Sequence, residues 1–150
     1  MPSGAIVIGR DEIATLIPHA GAMCLLDRVI HWSATSIGCL SRRHMAQDNP
    51  LRSRARLGVV CGIEFAAQAM ALHGRLCAGV AETPRHGYLA SVRQVTCRCD
   101  RLDSFATDLT IEAERLAGDE RQAMYQFALR CNDVELLSGR AAVVLEARWP

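Results

Sequence analysis

The hydrophobic period of this chain changes once, and the change divides it into two kinds of structure. From Gly58 to Gly79, the apolar residues Ile63, Ala66, Ala67, Ala69, Met70, Leu72, Leu76 and Cys77 fall at helical spacing and cover most of the circumference. The stretch is rich in alanine and free of proline, and Gly79 supplies a C-terminal stop. A helix apolar nearly all round is a buried helix. Beyond it the period becomes two. Leu109, Ile111 and Ala113 alternate with Thr110, Glu112 and Glu114, and Tyr125, Phe127, Leu129 and Cys131 alternate in the next segment. Turns at Gly118-Asp119 and Asn132-Asp133 punctuate these runs. With Tyr88 to Cys99 before them and Leu136 to Ala147 after, they predict four antiparallel strands.

Ahead of the helix the pattern is shorter and more varied. Ala5 to Ile8 reads as a short edge strand. Asp11 is the expected N-cap of a brief helix through Leu16, ended by Pro18. Leu25 to Trp32 and Ile37 to Met45 read as two strands joined at Ser33 to Ser36. Asp48 to Arg56 is polar and aperiodic and carries Pro50, so it reads as a loop. Two strands, one buried helix and a run of strands make a segregated α+β pattern, with a curved antiparallel sheet wrapped around the helix. The chain, 1–150, reads as a single domain without repeats.

Composition narrows the function more than the fold. Half of the 150 residues are apolar, which is enough for a core, yet no apolar run is long and uncharged enough to span a bilayer. The start, Met1-Pro2-Ser3-Gly4, lacks the marks of a secretory signal, and a cytoplasmic location is expected. Seven cysteines without metal-knuckle spacing read as reduced core thiols, and no metal site is expected. A net charge of +1 argues against bulk nucleic-acid binding. All 17 basic residues are arginine. Arg42, Arg43, Arg52, Arg54 and Arg56 cluster, either to meet an acidic partner or as a solvated loop.

Glu64 is the strongest candidate for chemistry. It stands inside an apolar helix, where burial favours the protonated carboxylic acid, a proton donor. Gln68 lies one turn on, on nearly the same face, where it is expected to hydrogen-bond Glu64 and fix its rotamer. His73, half a circle round from Glu64, is expected to be a cap, surface or interface residue. His19, in the constrained turn after Pro18, suits a base. The amides from Gly58 to Gly62, at the positive end of the helix, are expected to be free donors for a substrate oxygen.

Three segments together carry a family resemblance: Ile17-Pro18-His19, Met23-Cys24-Leu25-Leu26-Asp27-Arg28-Val29, and Gly62-Ile63-Glu64-Phe65-Ala66-Ala67-Gln68-Ala69. The chain resembles the 3-hydroxyacyl-carrier-protein dehydratases of the hot-dog fold, in particular the branch associated with aryl polyene biosynthesis. The resemblance runs from about Ile17 to about Gly79 and more loosely to the C-terminus. It implies a hot-dog fold, a homodimer or an assembly of dimers, and dehydration of a 3-hydroxyacyl thioester to a trans-2-enoyl thioester. The thioester partner would be an acyl carrier protein or coenzyme A, and no cofactor is implied. Glu64 would be the acid, with Gln68, Gly58, Gly62 and Asn49 contacting or orienting substrate. The chain departs from the better-known members in one place. Where they carry a catalytic histidine in a His-Phe-Pro-like loop, this chain has Asp48-Asn49-Pro50-Leu51. His19 is then the expected base, with His44 the weaker substitute. A hot-dog thioesterase and a non-catalytic acyl-binding subunit are the alternative readings.

Overall fold

A computed structural model describes residues 8–19, 21–79 and 87–145. The start of the expected first strand, residues 80–86 after the helix and the last residues of the final strand lie outside them. Seven strands form one antiparallel sheet: β1 (Ile8–Gly9), β2 (Arg28–Trp32), β3 (Ser36–Ser41), β4 (Gly87–Cys97), β5 (Leu109–Gly118), β6 (Gln122–Cys131) and β7 (Val134–Leu145). Their order across the sheet is β1-β2-β3-β5-β6-β7-β4, so β4 is an edge strand although it follows the long helix directly.

The alternating runs set the register. Ile111 pairs with Cys39 on one side and Leu129 on the other, and Ala113 pairs with Ile37 and Phe127. Apolar side chains therefore line up on one face of three neighbouring strands. Asn132 and Asp133, both at positive φ, make the tight turn between β6 and β7.

The long helix α2 (Gly62–Ala78) begins after a 3-10 turn at Val59–Cys61. It lies across β3, β5 and β6. Phe65, Ala66, Ala69 and Leu72 are fully buried in the same core as Ile37, Ile111, Phe127 and Leu129. Gly62 allows the close approach at the helix entry. A Cβ there would come within 2.7 Å of Leu137 and 2.9 Å of Leu129 side chains.

Four expectations change. β3 ends at Ser41 rather than running to Met45, because Arg43–Met45 closes a 3-10 turn. The short helix α1 (Arg10–Leu16) starts directly from β1 with Gly9 as its N-cap, which places Asp11 inside the first turn without a capping bond. Strand β2 begins at Arg28 rather than Leu25, because the Met23 carbonyl and the Leu25 amide bond the Gln68 side chain and the Leu25 carbonyl accepts from the Ser41 hydroxyl, in place of ladder bonds to the backbone of β3. Finally, α2 is not enclosed all round. Gly74, Cys77 and Ala78 are exposed, and Glu64, Ala67 and Ala71 are only partly covered. The alanines that read as core on every side include an open face, because alanine is apolar but too small to reveal which way a helix is turned.

Candidate active site

The open face of α2 is the floor of a groove of about 770 Å³. The end of α1, the starts of β4 and β6, and the ends of β5 and β7 wall it. Glu64 stands in the first turn of α2 and points into this groove. Pro18, which follows α1, carries the chain across so that His19 enters from the opposite wall. His19 Nε2 lies 3.3 Å from Glu64 Oε1, and the two side chains are 26% and 36% exposed. Residues 45 positions apart thus form one contact within one chain. The carboxyl is not sealed in the core, as the apolar helix pattern implied, but faces an open cavity. His19 Nδ1 is itself shielded from solvent and has no hydrogen-bond partner among the described residues.

Gln68 does something other than orient Glu64. It is fully buried, its Oε1 accepts from the Leu25 amide at 2.8 Å, and its Nε2 donates to the Met23 carbonyl at 2.7 Å. Both ends of the amide are spent on the segment that follows His19. Gln68 therefore fixes the chain leading from His19 into β2, and its link to the dyad runs through the backbone.

The remaining expected substrate contacts also serve the fold. The Gly62 amide donates to the Val59 and Val60 carbonyls, Cys61 donates to Gly58, and Val59 donates to Asp100. The 3-10 turn consumes donors that a plain helix start would leave free. Asn49 closes its own loop, accepting from the Leu51 amide and donating to the Arg43 carbonyl. None of Gly58, Gly62, Asn49 and Gln68 lines the groove. His44 is buried, with Nε2 2.8 Å from the Phe105 carbonyl. Burial pushes its pKa below the ordinary histidine value. It too lies off the groove. Of the arginine cluster, Arg42, Arg43 and Arg52 are paired with Asp108, Asp27 and Asp103. Arg54 and Arg56 are exposed on a turn.

His73 is a core residue, neither a cap nor a surface group. Its Nε2 lies 2.9 Å from the Ser33 carbonyl and its Nδ1 2.8 Å from the Tyr125 hydroxyl. A carbonyl only accepts, so Nε2 carries the hydrogen and Nδ1 receives the Tyr125 proton. Burial lowers the His73 pKa and pushes Tyr125 up to about 12, so both stay neutral. Cys77 Sγ lies 3.4 Å from the same Nε2. That nitrogen has no lone pair to offer, so this is not an activated cysteine.

An ApeP dehydratase family model (ApeP-like) matches residues 11–147. The chain belongs to that family. None of the proteins of curated function matches its sequence. Among solved structures, the chain is similar to the dehydratase heterocomplex ApeI:P from Xenorhabdus doucetiae. The TM-score is 0.81 at 22% identity, covering 91% of each chain. It is also similar to the thioesterase HI1161 from Haemophilus influenzae, with a TM-score of 0.64, 12% identity, and 93% and 91% coverage. A thioesterase from Pseudomonas aeruginosa, PA1618, gives 0.57 at 12% identity over 79% of each chain. At these identities the structural likeness establishes the hot-dog fold, and the family match establishes the dehydratase kinship. No helix among the described residues is long and apolar enough to cross a membrane.

Proposed function

We propose that this chain dehydrates 3-hydroxyacyl thioesters, carried by an acyl carrier protein or coenzyme A, to trans-2-enoyl thioesters. The observation that carries the reading is the 3.3 Å contact between His19 and Glu64 inside a largely apolar groove. Elimination of water needs a base for the proton beside the thioester carbonyl and an acid for the departing hydroxyl. His19 takes the C2 proton, the C2–H electron pair becomes the C2–C3 double bond, and the C3–O bond breaks. Glu64 gives its proton to the leaving oxygen, which departs as water. His19 then holds the extra proton and Glu64 lacks one, and their contact returns it directly.

The assembly expected of the family fits the outer strand. Among the described residues β4 is paired only with β7, and Tyr88, Leu89 and Val95 are exposed along it. An edge of this length with exposed apolar side chains favours pairing with another sheet, so the working unit is a dimer or built from dimers.

A second reading has two observations in its favour. The loop position that holds the histidine of better-known dehydratases is Asn49-Pro50 here, and the similar structure from Xenorhabdus doucetiae is a heterocomplex. In that reading the chain binds the acyl group beside an active partner. The deciding experiment incubates the purified chain alone with a 3-hydroxyacyl thioester, following enoyl absorbance and free thiol together. Enoyl product abolished in Glu64→Gln supports the dehydratase. Free thiol without enoyl product identifies a thioesterase. Neither product alone, with enoyl formed once a partner subunit is added, identifies the acyl-binding subunit.

A further inference from the structure

The arginine cluster ahead of α2 resolves into two groups. Arg42, Arg43 and Arg52 belong to a network in which carboxylates are shared: Asp27 meets Arg10 and Arg43, Asp103 meets Arg52 and Arg101, and Asp108 meets Arg42. Five arginines thus draw on three carboxylates. Arg54 and Arg56 form the second group. Both are exposed, and among the described residues neither side chain makes a hydrogen bond or an ion pair. Even with the exposed Asp48 and Asp100 counted, arginines outnumber carboxylates here, so this corner of the molecule carries a surplus of positive charge.

The backbone that carries Arg54 and Arg56 is held in an unusual shape. Ser53 and Arg56 exchange backbone hydrogen bonds of 2.8 and 3.0 Å, and Arg54 and Ala55 fill the two positions between them at φ 54° and 61°. Two positive φ angles in a two-residue turn favour Asn-Gly, so turn stability alone does not account for Arg-Ala. Contacts from beneath hold the turn instead. Arg52 Nη1 donates to the Ala55 carbonyl at 3.3 Å, and Asp103, 3% exposed, accepts from Arg52 and from the Leu57 amide. Two cations therefore stand out on a braced turn. Arg56 is eight residues ahead of Glu64, at most about 28 Å of chain.

We propose that the Arg54–Arg56 turn is a docking point for an acidic protein surface, that of the carrier that brings the thioester to Glu64. A phosphate pocket would close around its ligand, whereas these guanidinium groups are open to water on a convex turn. They suit the charged rim of a protein–protein contact, which speeds encounter and weakens with salt. The identity of the partner rests on reading the chain as one that handles carrier-borne thioesters.

The test presents one 3-hydroxyacyl group on an acyl carrier protein, on coenzyme A and on N-acetylcysteamine, to the wild type and to the double variant Arg54→Glu/Arg56→Glu. The expected result is a loss of about ten-fold or more in kcat/KM for the carrier substrate at low ionic strength, shrinking as salt is added, with the N-acetylcysteamine value retained. Should that variant fail to fold, Arg54→Asn/Arg56→Gln removes both charges with a turn-compatible residue at 54, and a loss of about three-fold or more is expected. No loss on the carrier substrate overturns the proposal, and so does an equal loss on N-acetylcysteamine. A loss of the same size on coenzyme A also overturns it, because it would assign the turn to the phosphates of the arm. Fluorescence anisotropy of a labelled, saturated acyl carrier protein binding to Glu64→Gln separates this from the dehydratase reading. Salt-sensitive binding that depends on the two arginines, with no turnover in the wild type, keeps the docking point and ends that reading. Turnover with carrier binding indifferent to both arginines keeps the dehydratase and ends the docking point.

Discussion

Glu64 and Gln68 stand one turn apart on α2 and have nearly the same shape, yet their surroundings are opposite. Gln68 is sealed in the core with its oxygen and nitrogen both bonded to backbone. Glu64 looks into a groove and meets a histidine. A buried polar group with every bond made is architecture, because moving it would strand its partners. A polar group facing a cavity, with capacity to spare, is available to a substrate. The comparison separates the two roles without reference to residue type.

The largest expected effect lies on the open side. Glu64→Gln and His19→Asn should each lower dehydration by roughly two to four decades while leaving the melting temperature close to that of the wild type. Because the two act as a unit, the double variant should be little slower than the worse single. Single losses that multiply in the double would mean that the contact is incidental. On the sealed side the pattern inverts. Gln68→Leu strands the Leu25 amide and the Met23 carbonyl, and should cost about 2 to 4 kcal/mol in denaturant unfolding. Any activity lost should follow the loosened segment behind His19, not the chemical step. A Gln68→Leu protein as stable as wild type would undo the distinction.

The sequence made one half of this contrast readable. The period change at the helix, the alternation of Leu109 to Ala113 and of Tyr125 to Cys131, and the turn residues between them are local signals, and they led to the sheet and the buried helix. Glu64 stood out because a carboxylate is rare in such a stretch. The role of Gln68 was hidden, since its partners lie 43 and 45 residues away and helical spacing names only neighbours on the same helix. His73 was misplaced for the same reason, its partners being Ser33 and Tyr125 on strand-side segments. The Val59, Cys61 and Gly62 amides failed as free donors because sequence pattern does not tell a plain N-terminus from one entered through a 3-10 turn. The family resemblance brought His19 and Glu64 into one hypothesis, although no spacing rule relates the two positions.

Asp103 extends the comparison to a second carboxylate and gives the smallest effect, read in pH. Unlike Glu64, it is saturated: its side chain is 3% exposed, it meets Arg52 and Arg101, and it accepts from the Leu57 amide. The hydrogen bond from Arg101, more than any other cause, holds its pKa well below the usual carboxylate range. A depressed carboxylate contributes stability that is complete above its unfolded value, near about 4, and is lost as pH falls below that. His73 and His44, both lowered chiefly by burial, act in a different window. The unfolded chain takes up their protons below about pH 6.5 while the folded chain resists, so their contribution also declines on acidification, but earlier. Stability against urea should therefore fall in two stages, first below about pH 6.5 and again below about pH 4. Asp103→Asn should cost about 1 to 3 kcal/mol at neutral pH and remove much of the second stage while sparing the first. An unchanged acid limb in that variant would mean that Asp103 is not the carboxylate in charge.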